Sequence, residues 1–134
     1  MQAQNFKAVG FEMVLNENVG FMNSAGQTIP ESAMNELDLI VRRIVDVFHP
    51  LRIVLFGSAS RGEAGKDSDI DLLVVMPEGT PRLATAEKLH MKMFGIPSAV
   101  DFLVATPSDL ERNRDNVGLI YRTILQEGRE LYAA

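Results

Sequence analysis

Apolar positions in this chain gather into short runs separated by Gly, Pro, Asn and Asp. Val9, Phe11, Met13 and Leu15 alternate with Gly10, Glu12, Val14 and Asn16, a period of two that predicts a strand. Asn16-Glu17-Asn18 is placed to turn it back through residues 19–22 as a hairpin, and Ser24-Ala25-Gly26 reads as a loop. Thr28, with Glu31 three residues on, has the form of a capping box, and Pro30 is tolerated in a first helical turn. Ala33, Leu37, Ile40, Val41, Ile44, Val45 and Phe48 then share one helical stripe. Asp38 and Arg42 read as an i,i+4 pair on its exposed side. His49-Pro50 closes this helix, because proline cannot continue the hydrogen-bond ladder.

Downstream, residues 51–56 form a short apolar strand ending at Gly57. Residues 70–76 form a second, rich in β-branched side chains and closed by Pro77. Thr80-Pro81 reads as a cap plus first-turn proline for a helix running to about Phe94, stopped by Gly95. Residues 100–105 predict a third strand, and Thr106-Pro107 opens a short helix. Asn116 reads as the cap of a last helix to about Glu127, ended by Gly128, and residues 129–132 add an edge strand. The expected fold is α+β, a small mixed sheet flanked by helices. Residues 1–27 read as an N-terminal extension and residues 28–134 as the domain proper.

The composition narrows what such a domain can do. With 134 residues, 46% of them hydrophobic, the chain can bury one real core. It has no run of about eighteen apolar residues, so no membrane span is expected. The first residues lack the apolar centre of a signal peptide. There is no cysteine, which excludes disulfides and thiolate metal sites. A cytoplasmic location is the expectation. The net charge of -5 argues against direct binding of long nucleic acids, which requires a basic surface. A single nucleotide stays compatible, since one Arg or Lys and a metal ion suffice for its charge.

The chemistry concentrates in GSASRGEAGKDSDIDLLVV, residues 57–75. A glycine straight after a buried strand lets the backbone turn sharply and approach a ligand. Ser58 offers a hydroxyl and an N–H to phosphate oxygens. If residues 59–61 begin a helical turn, its amides point the same way, and Arg61 can pair with a phosphate bidentately. Lys66 reads as a solvated loop lysine. Asp69 and Asp71 lie two apart, so on a strand they share a face with Cα atoms about 6.5–7 Å apart. That spacing lets both carboxylates converge on Mg²⁺, a hard cation that takes oxygen ligands. Asp101 stands among apolar residues of the next strand, where burial without a partner would be costly. A cation shared with Asp69 and Asp71 would relieve that cost. Three carboxylates around two metals suit phosphoryl or nucleotidyl transfer, with Asp101 placed to take the acceptor's proton.

The glycine–serine pair, the ten residues that follow and the Asp-x-Asp of Asp69 and Asp71 resemble the signature of the DNA polymerase beta-like nucleotidyltransferase superfamily. The resemblance is greatest to its smallest branch, the minimal nucleotidyltransferases. Arg61-Gly62 matches that family's frequent arginine–glycine, and Asp101 its third carboxylate. The resemblance spans about residues 35–132 and does not reach residues 1–27. It implies transfer of a nucleoside monophosphate, AMP from ATP, with Mg²⁺ as cofactor, two ions in the full site, and release of pyrophosphate. In that assignment Gly57, Ser58 and Arg61 bind the nucleotide, and Asp69, Asp71 and Asp101 hold the metal. A stand-alone domain of this size resembles the antitoxin of the pair formed with a HEPN-type ribonuclease toxin, which implies a toxin hydroxyl as acceptor. Two other readings stay open: an aminoglycoside-type small-molecule adenylyltransferase, whose acceptor pocket a homo-oligomer can supply, and an antitoxin that neutralises by contact alone.

The remaining candidates read as structural. Ser58 has no histidine spaced for a triad. His49 suits a helix C-terminus, and His90 a helix surface. Met91, Met93, Tyr121 and Tyr132 suit packing, and Arg42, Arg43, Arg112 and Arg114 a solvated face.

Overall fold

A computed structural model describes residues 3–8, 11–16, 20–22, 35–57, 70–113 and 120–134. Three short strands, β1 (Ala3–Ala8), β2 (Phe11–Asn16) and β3 (Gly20–Met22), form an antiparallel sheet in the order β1-β2-β3. The β2–β3 hairpin is the one expected from the alternating pattern. β1 is additional: its sequence, AQNFKA, is too polar to announce a strand. The cap proposed at Thr28 and Glu31 lies outside the described residues.

The main body runs α1 (Glu36–Phe48), β4 (Arg52–Phe56), β5 (Ile70–Val75), α2 (Arg82–Met91), β6 (Val100–Ala105), α3 (Pro107–Asn113), α4 (Ile120–Glu127) and β7 (Arg129–Ala133). Its four-stranded sheet has the order β6-β5-β4-β7. β5 and β6 are parallel, whereas β4 pairs antiparallel with β5 and with β7. This is the mixed α+β arrangement expected. Parallel neighbours need a long crossover, and α2 supplies it. Among the described residues no helix is long and apolar enough to cross a membrane.

Side chains alternate across the sheet and build two cores. Ile53, Leu55, Leu72, Val74, Val100 and Val104 pack with Ile40, Val41, Ile44 and Val45 of α1 and Leu89 of α2. The opposite face carries Val54, Leu73, Val75 and Ala105, covered by Ile124, with Tyr121 and Leu110 packed against them. Tyr121 and Tyr132 are packing residues as expected, and burial pushes the Tyr132 hydroxyl above its ordinary pKa.

Several local expectations change. α1 begins at an asparagine cap: the Asn35 side chain accepts from Asp38 N–H at 2.9 Å. Asp38 is fully buried, not exposed. It stands three and seven residues before Val41 and Val45, which places it on the flank of the apolar stripe. Arg42 pairs instead with Asp46 at 3.5 Å, farther round the helix. His49 ends α1 in a left-handed conformation, φ 50°, with its N–H still bonded to the Val45 carbonyl, a common way for a helix to stop. Thr80 does not cap α2: its hydroxyl donates to the Pro77 carbonyl at 2.7 Å. α2 stops at Met91, because Lys92 and Met93 N–H groups turn back to Leu89 and His90 carbonyls three residues behind. Asn116 lies outside the described residues.

Thr106 and Asp109 form a capping box at the start of α3. Thr106 N–H and hydroxyl both donate to Asp109 Oδ2 at 3.0 Å. The other oxygen, Oδ1, accepts from Arg82 at 3.1 Å and Arg112 at 2.7 Å, so Arg112 is not simply solvated. Glu78, in the β5–α2 connection, accepts from the N–H and hydroxyl of Ser108. One buried carboxylate therefore ties α2 to α3.

The hydrogen bonds from Thr106, aided by the two guanidinium groups, hold the Asp109 carboxyl below its ordinary pKa despite burial. Its stabilisation is complete above the unfolded-state pKa, about 4, and fades as pH falls through the lower folded value. Asp109→Ala should cost about 2 kcal/mol at neutral pH through the lost cap and ion pairs. Thermal unfolding of variant and wild type should show that gap narrowing as pH falls below about 4. A gap independent of pH would refute the assignment.

Candidate active site

The β4–β5 antiparallel pairing sets Phe56 against Asp71, and the β5–β6 parallel pairing sets Asp71 against Asp101. Residues directly paired across strands point to the same face. Asp71 and Asp101 therefore project together, on the face that carries Leu73, Val75 and Ala105 and opposite α1 and α2. Both sit near the N-terminal ends of their strands. Neighbouring strands lie about 4.8 Å apart, so two carboxylates meet at one edge of the sheet.

Gly57 adjoins this pair. It leaves β4 with φ +74°, and a Cβ built on it would stand 2.5 Å from Asp71 Oδ2. Only a residue without a side chain fits both the left-handed backbone and the neighbouring carboxylate. The turn anticipated for Gly57 is thus present, pressed against one of the anticipated carboxylates.

Ser58, Arg61 and Asp69 lie outside the described residues. Among the described residues no group of three or more His, Cys, Asp or Glu converges as a metal-binding cluster. The described half of the expected constellation is Gly57, Asp71 and Asp101. Asp71 is half-buried and Asp101 is exposed. The exposure of Asp101 corrects the expectation of a carboxylate sunk among apolar neighbours. β6 is the edge of the sheet; its other side chains enter one core or the other, and Asp101, near its start, is the one left exposed. What calls for a cation here is the neighbouring carboxylate, because like charges directly opposite repel. Oxygen donors in register, accessible and on one face, fit a hard divalent cation.

The connection leading into β6 holds long-range contacts, among them those of Arg43, a residue expected on a solvated face. Glu36 accepts from Ser98 N–H at 2.7 Å. Arg43 donates to the carbonyls of Lys92 at 3.0 Å and Phe94 at 2.7 Å. His90 is exposed, as expected of a helix surface, and meets the Phe102 ring edge-on at a centroid distance of 5.1 Å. No sequence spacing announces such long-range partners. The Thr106-x-x-Asp109 box, by contrast, was legible as a motif.

The model of the nucleotidyltransferase domain family matches residues 34–132. The chain belongs to that family. As a nucleotidyltransferase it is similar to a solved toxin–antitoxin structure with AMP-PNP, at 25% identity, 75% coverage of each chain and a TM-score of 0.56. Two structures of the MntA-HpeT toxin–antitoxin share its fold. One, a double Asp-to-Glu variant, is 22% identical with 75% of each chain covered and a TM-score of 0.54. The other, a Tyr-to-Ala variant, is 24% identical with a TM-score of 0.53, covering 75% of this chain and 74% of that one. No curated protein matches the chain.

Gly57→Ala should destabilise the nucleotidyltransferase by about 1–2 kcal/mol through its left-handed φ and its clash with Asp71. Denaturant unfolding measures this. A midpoint equal to wild type would show that Asp71 does not lean on the turn.

Proposed function

We propose that this chain is a magnesium-dependent adenylyltransferase that moves AMP from ATP to a hydroxyl of a partner HEPN-type toxin and so serves as its antitoxin. The observation that carries the reading is the in-register pair Asp71 and Asp101 beside the Gly57 turn, at the sheet edge of a nucleotidyltransferase domain. The AMP-PNP in a similar toxin–antitoxin structure supports an adenine nucleotide and a protein partner.

In this reading Gly57 and Ser58 take the triphosphate with backbone N–H groups, which a turn free of side-chain bulk can bring close. Arg61 pairs with a phosphate. Asp69, Asp71 and Asp101 would hold the metal. Bound there, two Mg²⁺ ions would neutralise charge on the attacking and leaving oxygens. The exposure of Asp101 suits a group that must meet a macromolecular acceptor and take the proton of its hydroxyl. The bond broken joins the α- and β-phosphates of ATP, the bond formed joins the α-phosphate to the acceptor oxygen, and pyrophosphate leaves.

The test is transfer of label from α-labelled ATP, with Mg²⁺, into the proteins of the source cell, where a HEPN-type toxin is the expected acceptor. Asp71→Asn and Asp101→Asn should each lower transfer at least about a hundredfold, and chelation of the metal should abolish it. Full toxin neutralisation by an Asp71→Asn variant that transfers no label would replace catalysis with contact inhibition. Label on a small aminocyclitol, and none on protein, would replace the acceptor.

A further inference from the structure

The geometry points to Glu36 and Arg43 of α1 as positioning residues that clamp the α2–β6 connection and thereby fix Asp101 against Asp71. This rests on the reading of Asp101 as a metal ligand and adds residues to it.

Glu36 and Arg43 are one heptad apart, so both project from one side of α1, a span of about 10 Å. Each grips one end of the same segment. Arg43 Nη1 bridges the carbonyls of Lys92 and Phe94, and its guanidinium lies over the Phe94 ring, 5.2 Å from the centroid. Glu36 Oε1 accepts Ser98 N–H at the far end. The next residue, Ala99, takes Ile70 N–H at 2.9 Å. From that bond the register continues as Ile70 with Val100 and Asp71 with Asp101. The chain of contacts from α1 to the carboxylate pair is therefore unbroken: Glu36, Ser98, Ala99, Ile70, Asp71 and Asp101.

The need for such a clamp follows from the position of β6. An edge strand is held by one neighbour only, here β5. Two carboxylates brought together on β5 and β6 push that pairing apart. The lead-in turns at Gly95 with φ +79°; Met93 and Ile96 pack it against the main core, and the α1 contacts add directional bonds at its two ends. Hydrogen bonds that involve charged groups are stronger than neutral ones, and both α1 contacts are of that kind.

Calorimetric titration of ATP into the full chain, with and without Mg²⁺, tests the clamp without any acceptor. Glu36→Ala and Arg43→Ala should each weaken Mg²⁺-dependent ATP binding by about three- to tenfold. Glu36→Gln keeps an accepting oxygen and should restore affinity to within about twofold. Arg43→Lys keeps the charge but not the fork or the ring stacking, and should fall between. Thermal unfolding checks that each variant folds, and the two conservative variants carry the test where an alanine variant does not. In an Asp101→Asn background the clamp variants should add nothing, because the group they position is gone. An equal further loss in that background would make the clamp a general structural contact and overturn the inference. Wild-type affinity in all clamp variants would overturn it too. Wild-type protein that binds no ATP with Mg²⁺ would instead remove the function proposed above.

Discussion

Parallel pairing of β5 with β6 is the interaction on which the rest of this molecule turns. A parallel pair in register sets each residue beside its counterpart, and here Asp71 faces Asp101. Antiparallel pairing would reverse β6 and carry Asp101 to the other end of the sheet. The cost of the observed arrangement is a repulsion between carboxylates on adjacent strands. The pairing persists because residues 72–75 and 102–105 continue the same register through both cores. Apolar burial over four residue pairs outweighs a repulsion confined to an edge that solvent or a cation can reach.

That balance explains the division of labour between the two faces. α1 and α2 cover one face with Ile40, Ile44 and Leu89, and the alternation of β5 and β6 sends their carboxylates to the other. The same alternation lets one strand serve both structure and chemistry. Leu72 and Val74 anchor β5 from behind, while Leu73 and Val75 fill the second core on the face that carries Asp71. A one-residue slip would turn Asp71 toward α1 and bury it. Register is therefore fixed by core formation before any ligand arrives.

The sequence made the strands and α1 legible because their apolar periods are strong, and it made Gly57 and Asp71 legible because a turn and a carboxylate alternation are local. It could not show that Asp101 is exposed, since whether a strand lies at the sheet edge is a property of topology. It could have shown that Asp38 belongs to the apolar flank, by its spacing to Val41 and Val45. It could not show Glu36 on Ser98 or Arg43 on Lys92 and Phe94, separated by 62, 49 and 51 residues. Nor did it distinguish Thr80 as a turn-closing hydroxyl from Thr80 as a cap, because Thr-Pro suits both.

The exposed position of Asp101 also bears on the choice between catalysis and contact inhibition. A carboxylate kept for packing would be expected inside a hydrogen-bond network, as Asp109 is, with Thr106, Arg82 and Arg112 around it. Asp101 stands at the edge of the sheet, level with Asp71 and one strand beyond it. Placing two like charges side by side with one of them open to solvent does nothing for the folded chain by itself. It makes physical sense where an incoming cation and phosphate complete the charge balance. The same fold thus contains one aspartate whose environment is closed and one whose environment is incomplete, and the incomplete one lies one strand beyond the Asp71 that the Gly57 turn abuts.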